Sequence, residues 1–280
     1  MHTIITHMNP DLDALSSVWL ICRYLPDFQG EDVSYEFVPA GKTRGNADAD
    51  TDPDVVHVDT GRGRFDHHHI PEKICAFLQI YKHLVKENLL PAYDVDPLKR
   101  MCDVINAYDN FQEVYFPDVT ADYQLFQLES IIGGLVHAGL SDVKKVEVTL
   151  PIFDGLLQIF KNKIKAEKNV TEGVVFETKA FGNSILMENS NNESMKYAQK
   201  LGYVLVARKD PKQGNIRIVC LPDDKLDLTP IYEAILKKDT VGTWFLHQSK
   251  HMLLNGSIVN PSMKASPLTT DDIMSILQNF

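Results

Sequence analysis

The side chains best suited to metal chemistry lie in two short stretches near the start of the chain. The first stretch holds His7, Asp11 and Asp13, and the second holds Asp59 followed by the run from Asp66 to His68. Imidazole and carboxylate groups are ligands that divalent manganese, zinc and iron accept in proteins. Charged groups gathered at one buried edge are costly unless a cation balances them. We therefore predict a divalent-metal centre built from both stretches.

Each stretch stands at the end of a predicted strand. Apolar runs and helical periodicity predict strands at Thr3–Thr6, Ser34–Val38 and Val55–Asp59, and helices at Asp13–Leu25, Ile74–Asn88 and Pro97–Ala107. Alternating strands and helices are typical of a parallel sheet with right-handed crossovers. Because open α/β sheets bind ligands beyond the carboxyl ends of their strands, His7 and Asp59 fall where a site is expected.

The rest of the chain predicts further helices and then a second domain. The pattern from Tyr123 to about Lys168 is helical almost throughout, and short β-like runs separated by helices follow. We predict an α/β protein with an N-terminal parallel-sheet domain followed by helices, and a smaller C-terminal α+β domain. The predicted bounds are residues 1–168 for the metal-binding catalytic domain and residues 173–280 for the substrate-binding domain.

Composition limits the classes of protein and partner. A chain of 280 residues with 44% hydrophobic and 24% charged residues is typical of a cytoplasmic globular protein, without an apolar run of membrane-spanning length. The chain begins directly with a strand pattern, which predicts no signal peptide. Its four cysteines lie far apart and predict free thiols in a reducing compartment. The formal net charge of −10 disfavours a protein that grips long nucleic acid through many phosphates.

The two stretches together resemble the motifs of the DHH phosphoesterase superfamily. The set His7, Asp11 and Asp13 matches its first motif, Asp59 its second, and the Asp66–His68 run the motif that names the family. Asp109, within Ile105–Asn110, is similar to the fourth motif. The superfamily includes manganese-dependent family II pyrophosphatases, single-strand exonucleases and nano-RNA phosphatases.

A second, partial resemblance covers the later motifs. The stretch from Val58 to His68 and the surroundings of Asp109 are also similar to a family long labelled metal-dependent protein hydrolase and now regarded as RNA exonucleases. The first motif of this chain differs from that family, because the His and Asp arrangement there is not the same. Both resemblances imply hydrolysis of phosphate compounds.

The resemblance implies two Mn²⁺ ions, with Mg²⁺, Zn²⁺ or Fe²⁺ as alternatives. It implies that Asp59 bridges the ions, and that the other ligands are His7, Asp11, Asp13, His67 and Asp109. His7 and Asp11 would complete one ion, and the remaining three ligands the other. His68 would contact the phosphate or support proton transfer, which makes His68 and Asp59 the predicted catalytic residues. Asp66 would orient an imidazole.

Substrate contacts are predicted from two regions. Arg62 and Arg64 lie between two metal motifs, so we expect them near the ions. Members of the superfamily usually close a second domain over the metals through a Gly-rich motif with a His or Arg. The segment that resembles a drifted form of this motif contributes His247, Lys250, Asn255, Gly256 and Ser257. The usual glycine cluster with its histidine is absent, and this departure concerns substrate identity more than reaction type.

Three functions remain open from the sequence. The first is a phosphoesterase that uses two metal ions to activate water and acts on a small phosphorylated substrate or a short single-stranded oligonucleotide. The second is a pyrophosphatase-like phosphoanhydride hydrolase, which the motif His-x-Asn-Pro-Asp-x-Asp favours. The drifted C-terminal motif counts against it, because few of its residues are the Lys or Arg that would match a pyrophosphate clamp. The third is a non-catalytic, metal-binding regulatory module, which the complete ligand set argues against.

Overall fold

The chain forms two compact units that each have their own sheet. The computed structural model describes residues 2–30, 32–256 and 261–280. The first unit spans Met1–Lys161 and the second spans Asn162–Phe280. The catalytic and substrate-binding roles that we assign to residues 1–168 and 173–280 stay predictions.

A three-stranded parallel sheet carries the N-terminal metal motifs. Its strands are β1 (His2–His7), β2 (Val33–Val38) and β3 (Val55–His57), in the order β2-β1-β3. The central strand β1 is buried from Thr3 to Thr6, as expected for a parallel strand covered on both faces. The register pairs His7 with Val38 and Ile5 with His57. The predicted parallel sheet is confirmed, and the ends of β1 and β3 lie side by side.

Helices complete the first unit. They are α1 (Leu12–Tyr24), α2 (Ala76–Lys86), α3 (Ala92–Asp109), α4 (Leu128–His137) and α5 (Asp142–Thr171). Trp19 of α1 joins them, because its ring stacks on Phe77 at 6.3 Å and tilts against Phe153 at 5.7 Å. The helix α3 begins at Ala92, whereas periodicity predicted that it begins at Pro97. Proline lacks one backbone donor, and here it lies inside the helix without ending it.

The second unit is an α+β domain, as predicted. Its strands are β4 (Val174–Thr178), β5 (Gly182–Glu188), β6 (Leu205–Lys209), β7 (Ile216–Cys220), β8 (Trp244–Leu246) and β9 (Met252–Asn255). The sheet order is β4-β5-β6-β7-β9-β8, in which β5 and β6 are parallel and the other neighbouring strands are antiparallel. The helices are α6 (Glu193–Lys200), α7 (Thr229–Lys238) and α8 (Thr270–Leu277).

Sequence patterns did not predict two of these elements, β9 and α8. The helix α8 begins at a capping box. The Thr269 side chain accepts a hydrogen bond from the backbone N–H of Asp272, and the Asp272 side chain accepts one from the backbone N–H of Thr269. Across the described ranges, no helix is both long enough and apolar enough to cross a membrane.

Candidate metal centre

The six predicted metal ligands meet beyond the carboxyl edge of the β2-β1-β3 sheet. Potential ligand atoms come within 4.8 Å of one another in three overlapping groups. These groups are His7 with Asp11 and Asp59, Asp13 with His67 and Asp109, and Asp59 with His67 and His68. Residues that are more than one hundred positions apart therefore form one cluster, as the motifs predicted.

Asp59 lies at the centre of this cluster. Its Oδ2 is 3.3 Å from Nε2 of His7, and its Oδ1 is 3.2 Å from Nε2 of His67. The residue is buried and has a φ of 53°, which a non-glycine residue adopts only when its surroundings hold it. Its backbone N–H donates to the carbonyl of Phe65 at 2.9 Å. The turn after β3 thus presents one carboxylate oxygen to each half of the cluster.

The ring of His7 is oriented as metal binding requires. Its Nδ1 lies 2.9 Å from the carbonyl oxygen of Met8, to which it donates its proton. Its Nε2 therefore faces the carboxylates, at 3.3 Å from Asp59 and 3.9 Å from Asp11. Histidine ligands are commonly oriented by such a backbone hydrogen bond on the other ring nitrogen.

Asp11 and Asp13 also hold the local backbone. Asp11 is the N-cap of α1 and accepts a hydrogen bond from the N–H of Ala14 at 3.0 Å. Asp13 is buried and accepts hydrogen bonds from the N–H groups of Ala76 at 2.7 Å and Phe77 at 2.9 Å. These contacts fix the start of α2 against α1. They leave further lone pairs on both carboxylates, which are free to bind a cation.

Asp66 orients His68 at the edge of the cluster. The buried Asp66 carboxylate accepts from Nδ1 of His68 at 2.7 Å, and from the backbone N–H groups of His68 and Arg62. Burial alone would raise the pKa of Asp66, but these donors lower it below the usual range. Nε2 of His68 is the ring nitrogen that Asp66 does not bind. The His68 side chain is 58% exposed, so this nitrogen is accessible to a ligand.

The electrostatics of the cluster reflect the proximity of its carboxylates. Burial and the charges of Asp59 and Asp109 raise the pKa of Asp13 well above its usual value. Burial also raises the pKa of Asp109, to about 6. Burial disfavours the charged imidazoles, but the adjacent Asp59 carboxylate outweighs it and raises the pKa values of His7 and His67 to about 9. Protons therefore balance the carboxylates, and a divalent cation would supply the same positive charge.

The donor set fits a divalent metal. Oδ1 of Asp59 and Nε2 of His67 are buried and have no partner with hydrogen-bond geometry in the described part of the chain, although only 3.2 Å separates them. Buried polar atoms without a partner are costly, and a cation between them would satisfy both. Two imidazoles and four carboxylates are a ligand set for Mn²⁺, Fe²⁺ or Zn²⁺. The residues present therefore fit the metal that the motifs predicted.

A cavity of about 450 Å³ opens over the cluster. Five residues of the predicted motifs line it, namely Asp11, Asp13, His67, His68 and Asp109. The remaining lining residues that the motifs did not predict are Leu12, Tyr108, Phe111, Glu113 and Glu129. Among the described residues, no lysine or arginine lines this cavity. The walls away from the cluster are thus apolar or acidic.

A buried lysine supports the first motif, and the sequence patterns did not predict this role. Lys145, in α5, is fully buried and donates from Nζ to Asp142 at 2.9 Å and to the Asn9 side chain at 3.3 Å. Asp142 in turn accepts from the N–H of Asn9 at 3.1 Å. Asn9 has a φ of 53° and lies between His7 and Asp11. This triad holds the turn that separates two predicted ligands.

The two predicted arginines lie outside the lining of the cavity. The guanidinium of Arg64 stands over the Phe65 ring at 4.7 Å, and its backbone N–H donates to Asp50 at 2.9 Å. Arg62 is exposed and contributes its backbone N–H to Asp66 at 2.6 Å. Their contact with a substrate stays a prediction.

The predicted substrate residues of the second unit occupy the ends of β8 and β9. His247 and Lys250 are exposed, with Nδ1 of His247 at 2.9 Å from Oγ of Ser249 and Nζ of Lys250 at 2.7 Å from Asp227. Both form one turn, because the N–H of Lys250 donates to the His247 carbonyl. Their contact with a substrate also stays a prediction.

The remaining members of this predicted motif have a different setting. Asn255 is fully buried, and its side chain bonds the backbone of Thr243, Lys264 and Ser266. This arrangement favours a structural role over contact with a substrate. Gly256 has a φ of 82°, and a Cβ there would meet the Asn215 side chain. Ser257 lies outside the described residues.

Comparisons with known proteins found matches among solved structures only. No family model and no curated protein sequence matches the chain. RecJ from Thermus thermophilus, in complex with Mg²⁺, is 13% identical with a TM-score of 0.31. The match covers 99% of this chain and 49% of RecJ, so the chain spans about half the length of that protein.

Two further structures match along nearly their whole length. An "uncharacterized protein" from Helicobacter pylori is 11% identical with a TM-score of 0.29, over 99% of this chain and 98% of that chain. A "putative family II inorganic pyrophosphatase" from Methanococcus jannaschii is 12% identical with a TM-score of 0.25, over 99% of both chains. Because every TM-score is below 0.5, we base no functional conclusion on these likenesses.

Proposed function

We propose that the chain is a divalent-metal-dependent phosphoesterase that hydrolyses a small phosphate ester or a short oligonucleotide. The observation that carries this proposal is the placement of Asp59, whose two carboxylate oxygens face different histidines at 3.3 and 3.2 Å. A carboxylate in that position can bridge two cations. His7 and Asp11 would complete the ligands of one ion, and Asp13, His67 and Asp109 those of the other.

The bound metals would supply a strong nucleophile from water and neutralise charge on the phosphoryl oxygens. The chain's own residues would position the substrate and handle protons. Asp66 holds the His68 ring through Nδ1, and His68 lines the cavity, so its other ring nitrogen could contact the phosphate or transfer a proton. The buried position of Asp59 would limit competition from bulk water for its carboxylate oxygens.

Hydrolysis of phosphoanhydrides is the less supported alternative. Pyrophosphate carries a second phosphate group, whose charge arginine or lysine side chains commonly bind. In the part of the chain that the structure describes, the cavity over the cluster has acidic side chains at Glu113 and Glu129 and no lysine or arginine. This lining favours an ester with a single phosphate group.

The test is a metal-reconstitution assay. The purified chain is stripped with a chelator, titrated with Mn²⁺, and assayed against pyrophosphate, a nucleoside phosphodiester and a short RNA. Metal-dependent cleavage of an ester, lost in Asp59→Asn, is the expected result. The matched control is Asp48→Asn, because Asp48 is an exposed carboxylate outside the cluster.

Two results would contradict the proposal. Cleavage of pyrophosphate alone would assign a phosphoanhydride hydrolase. Binding of two Mn²⁺ ions without hydrolysis of any of the three substrates would assign a non-catalytic metal-binding module.

A further inference from the structure

An apolar cavity of about 360 Å³ adjoins the metal centre. It lies among α3, the start of α4 and α5, and all of its lining comes from the first unit. Its walls include Met101, Phe126, Phe153, Leu156 and Phe160. All of its lining residues except Gln127 and Glu129 are aliphatic or aromatic. We call this cavity the apolar pocket.

The apolar pocket and the cavity over the metal ligands share part of their lining. Leu12, Tyr108 and Glu129 line both. Leu12 stands between the predicted ligands Asp11 and Asp13, and Tyr108 immediately precedes Asp109. A molecule whose phosphate reaches the metal ligands therefore has the apolar pocket as the neighbouring space for its organic group.

The chemistry of the lining selects among organic groups. The described walls of both cavities carry no lysine or arginine, so additional phosphate groups would find no such cation there. A nucleobase would bring several ring donors and acceptors, for which the described lining of the apolar pocket offers three polar side chains, Tyr108, Gln127 and Glu129. The amide of Gln127 already donates to the Gln124 side chain. Buried polar groups without partners weaken binding, whereas an apolar group gains free energy on leaving water.

We propose, resting on the phosphoesterase function above, that the substrate is a phosphate ester with an apolar organic group that binds in the apolar pocket. The rim of this pocket supports the assignment. Phe126 is 85% exposed, and Leu156 and Phe160 are only partly buried, although all three line the pocket. An apolar ligand would cover these side chains and remove them from water.

The test measures binding separately from catalysis. Methylphosphonate, hexylphosphonate and adenosine monophosphate are titrated by calorimetry into the full chain loaded with Mn²⁺. We expect hexylphosphonate to bind at least about tenfold more tightly than methylphosphonate, since each buried methylene contributes roughly fourfold. Adenosine monophosphate should bind no more tightly than methylphosphonate.

Two variants probe the apolar pocket itself. Phe126→Ser changes an exposed residue of the rim, so folding should be unaffected. Leu156→Gln places an amide inside the pocket. Both should reduce the preference for hexylphosphonate to less than about threefold and leave methylphosphonate binding unchanged. The matched controls are Leu125→Ser and Ile159→Gln, since these neighbours are 67% and 61% exposed and lie outside the lining.

The outcomes separate this inference from the function on which it rests. Equal binding of hexyl- and methylphosphonate, or tighter binding of adenosine monophosphate, overturns the apolar substrate. An altered oligomeric state in Phe126→Ser, with unchanged hexylphosphonate affinity, also overturns it and assigns the rim to a protein contact. Hydrolysis of methyl phosphate without a gain for hexyl phosphate leaves the phosphoesterase in place. If the native chain hydrolyses no ester in the presence of metal, both the phosphoesterase function and the apolar substrate are overturned.

Discussion

Replacement of Lys145 by methionine tests whether the buried triad positions the first metal motif. Methionine has nearly the length of lysine and fills the same space, but it removes the donor that joins Asp142 and Asn9. The turn at Asn9, which has a positive φ, would lose one of its supports. The change therefore acts on His7 and Asp11 without contacting either.

The expected loss of stability follows from the burial of the pair. Removing one partner of a buried ion pair costs about 3–5 kcal/mol. The Asp142 side chain is 21% exposed and keeps its bond to the N–H of Asn9, so water and that donor compensate part of the loss. We expect a decrease of about 2 kcal/mol in the free energy of unfolding. This corresponds to a fall in Tm of about 4–8 °C.

Lys144→Met is the matched control on the same helix. Lys144 pairs with Glu147 at 2.8 Å, but the two side chains are 59% and 51% exposed. Surface pairs contribute less than about 1 kcal/mol, so this variant should unfold nearly as the native chain does. Scanning calorimetry on both variants measures the difference.

The functional effect of Lys145→Met is measured by Mn²⁺ titration. Residues that orient metal ligands typically change affinity by about 10–100-fold, and we expect a loss in that range for the ion bound by His7 and Asp11. Equal stability of the two lysine variants would refute the energetic reasoning. A lower Tm with unchanged Mn²⁺ affinity would show that the triad supports the fold and not the metal motif.

Further predictions concern the ligands and the substrate. Asp59→Asn should abolish hydrolysis and reduce the bound Mn²⁺ measured by atomic absorption, since both histidines lose the shared carboxylate. His68→Ala should keep two Mn²⁺ per chain but slow hydrolysis by about 10²–10⁴-fold, and a lower metal content would contradict its separation from His67. Mn²⁺ at one hundred times its Kd should add about 2.7 kcal/mol per bound ion to the free energy of unfolding, and no gain would argue against a preformed site. His247→Ala should raise KM without changing metal content, and an unchanged KM would remove His247 from the substrate contacts.

Much of the metal centre follows from the sequence because strand ends are predictable. Short apolar runs identify β1 and β3, and parallel neighbours place His7 and Asp59 at one edge of the sheet. The residue types then determine the chemistry, since imidazoles and carboxylates bind divalent cations. The helices α1 and α2 were predictable for the same reason, because their apolar residues repeat with the helical period.

Other features have only weak sequence signals. The helix α8 is short, and the capping box at Thr269 and Asp272 was its one clear marker. Lys145 looks like one more polar residue of a long amphipathic helix, because the sequence does not show which lysine of α5 faces Asn9. The burial of the Lys145 side chain and the identity of its hydrogen-bond partners depend on how the helices pack.

The apolar pocket illustrates what only the tertiary structure decided. Leu12, Tyr108, Glu129 and Leu156 belong to different helices, and each apolar side chain fits an ordinary amphipathic face. Their convergence beside the cluster depends on how these helices pack across the sheet, which periodicity does not specify. The sequence therefore determined which atoms can bind a metal and where each strand delivers them. Packing decided which buried groups hold those atoms in place and what kind of space adjoins them.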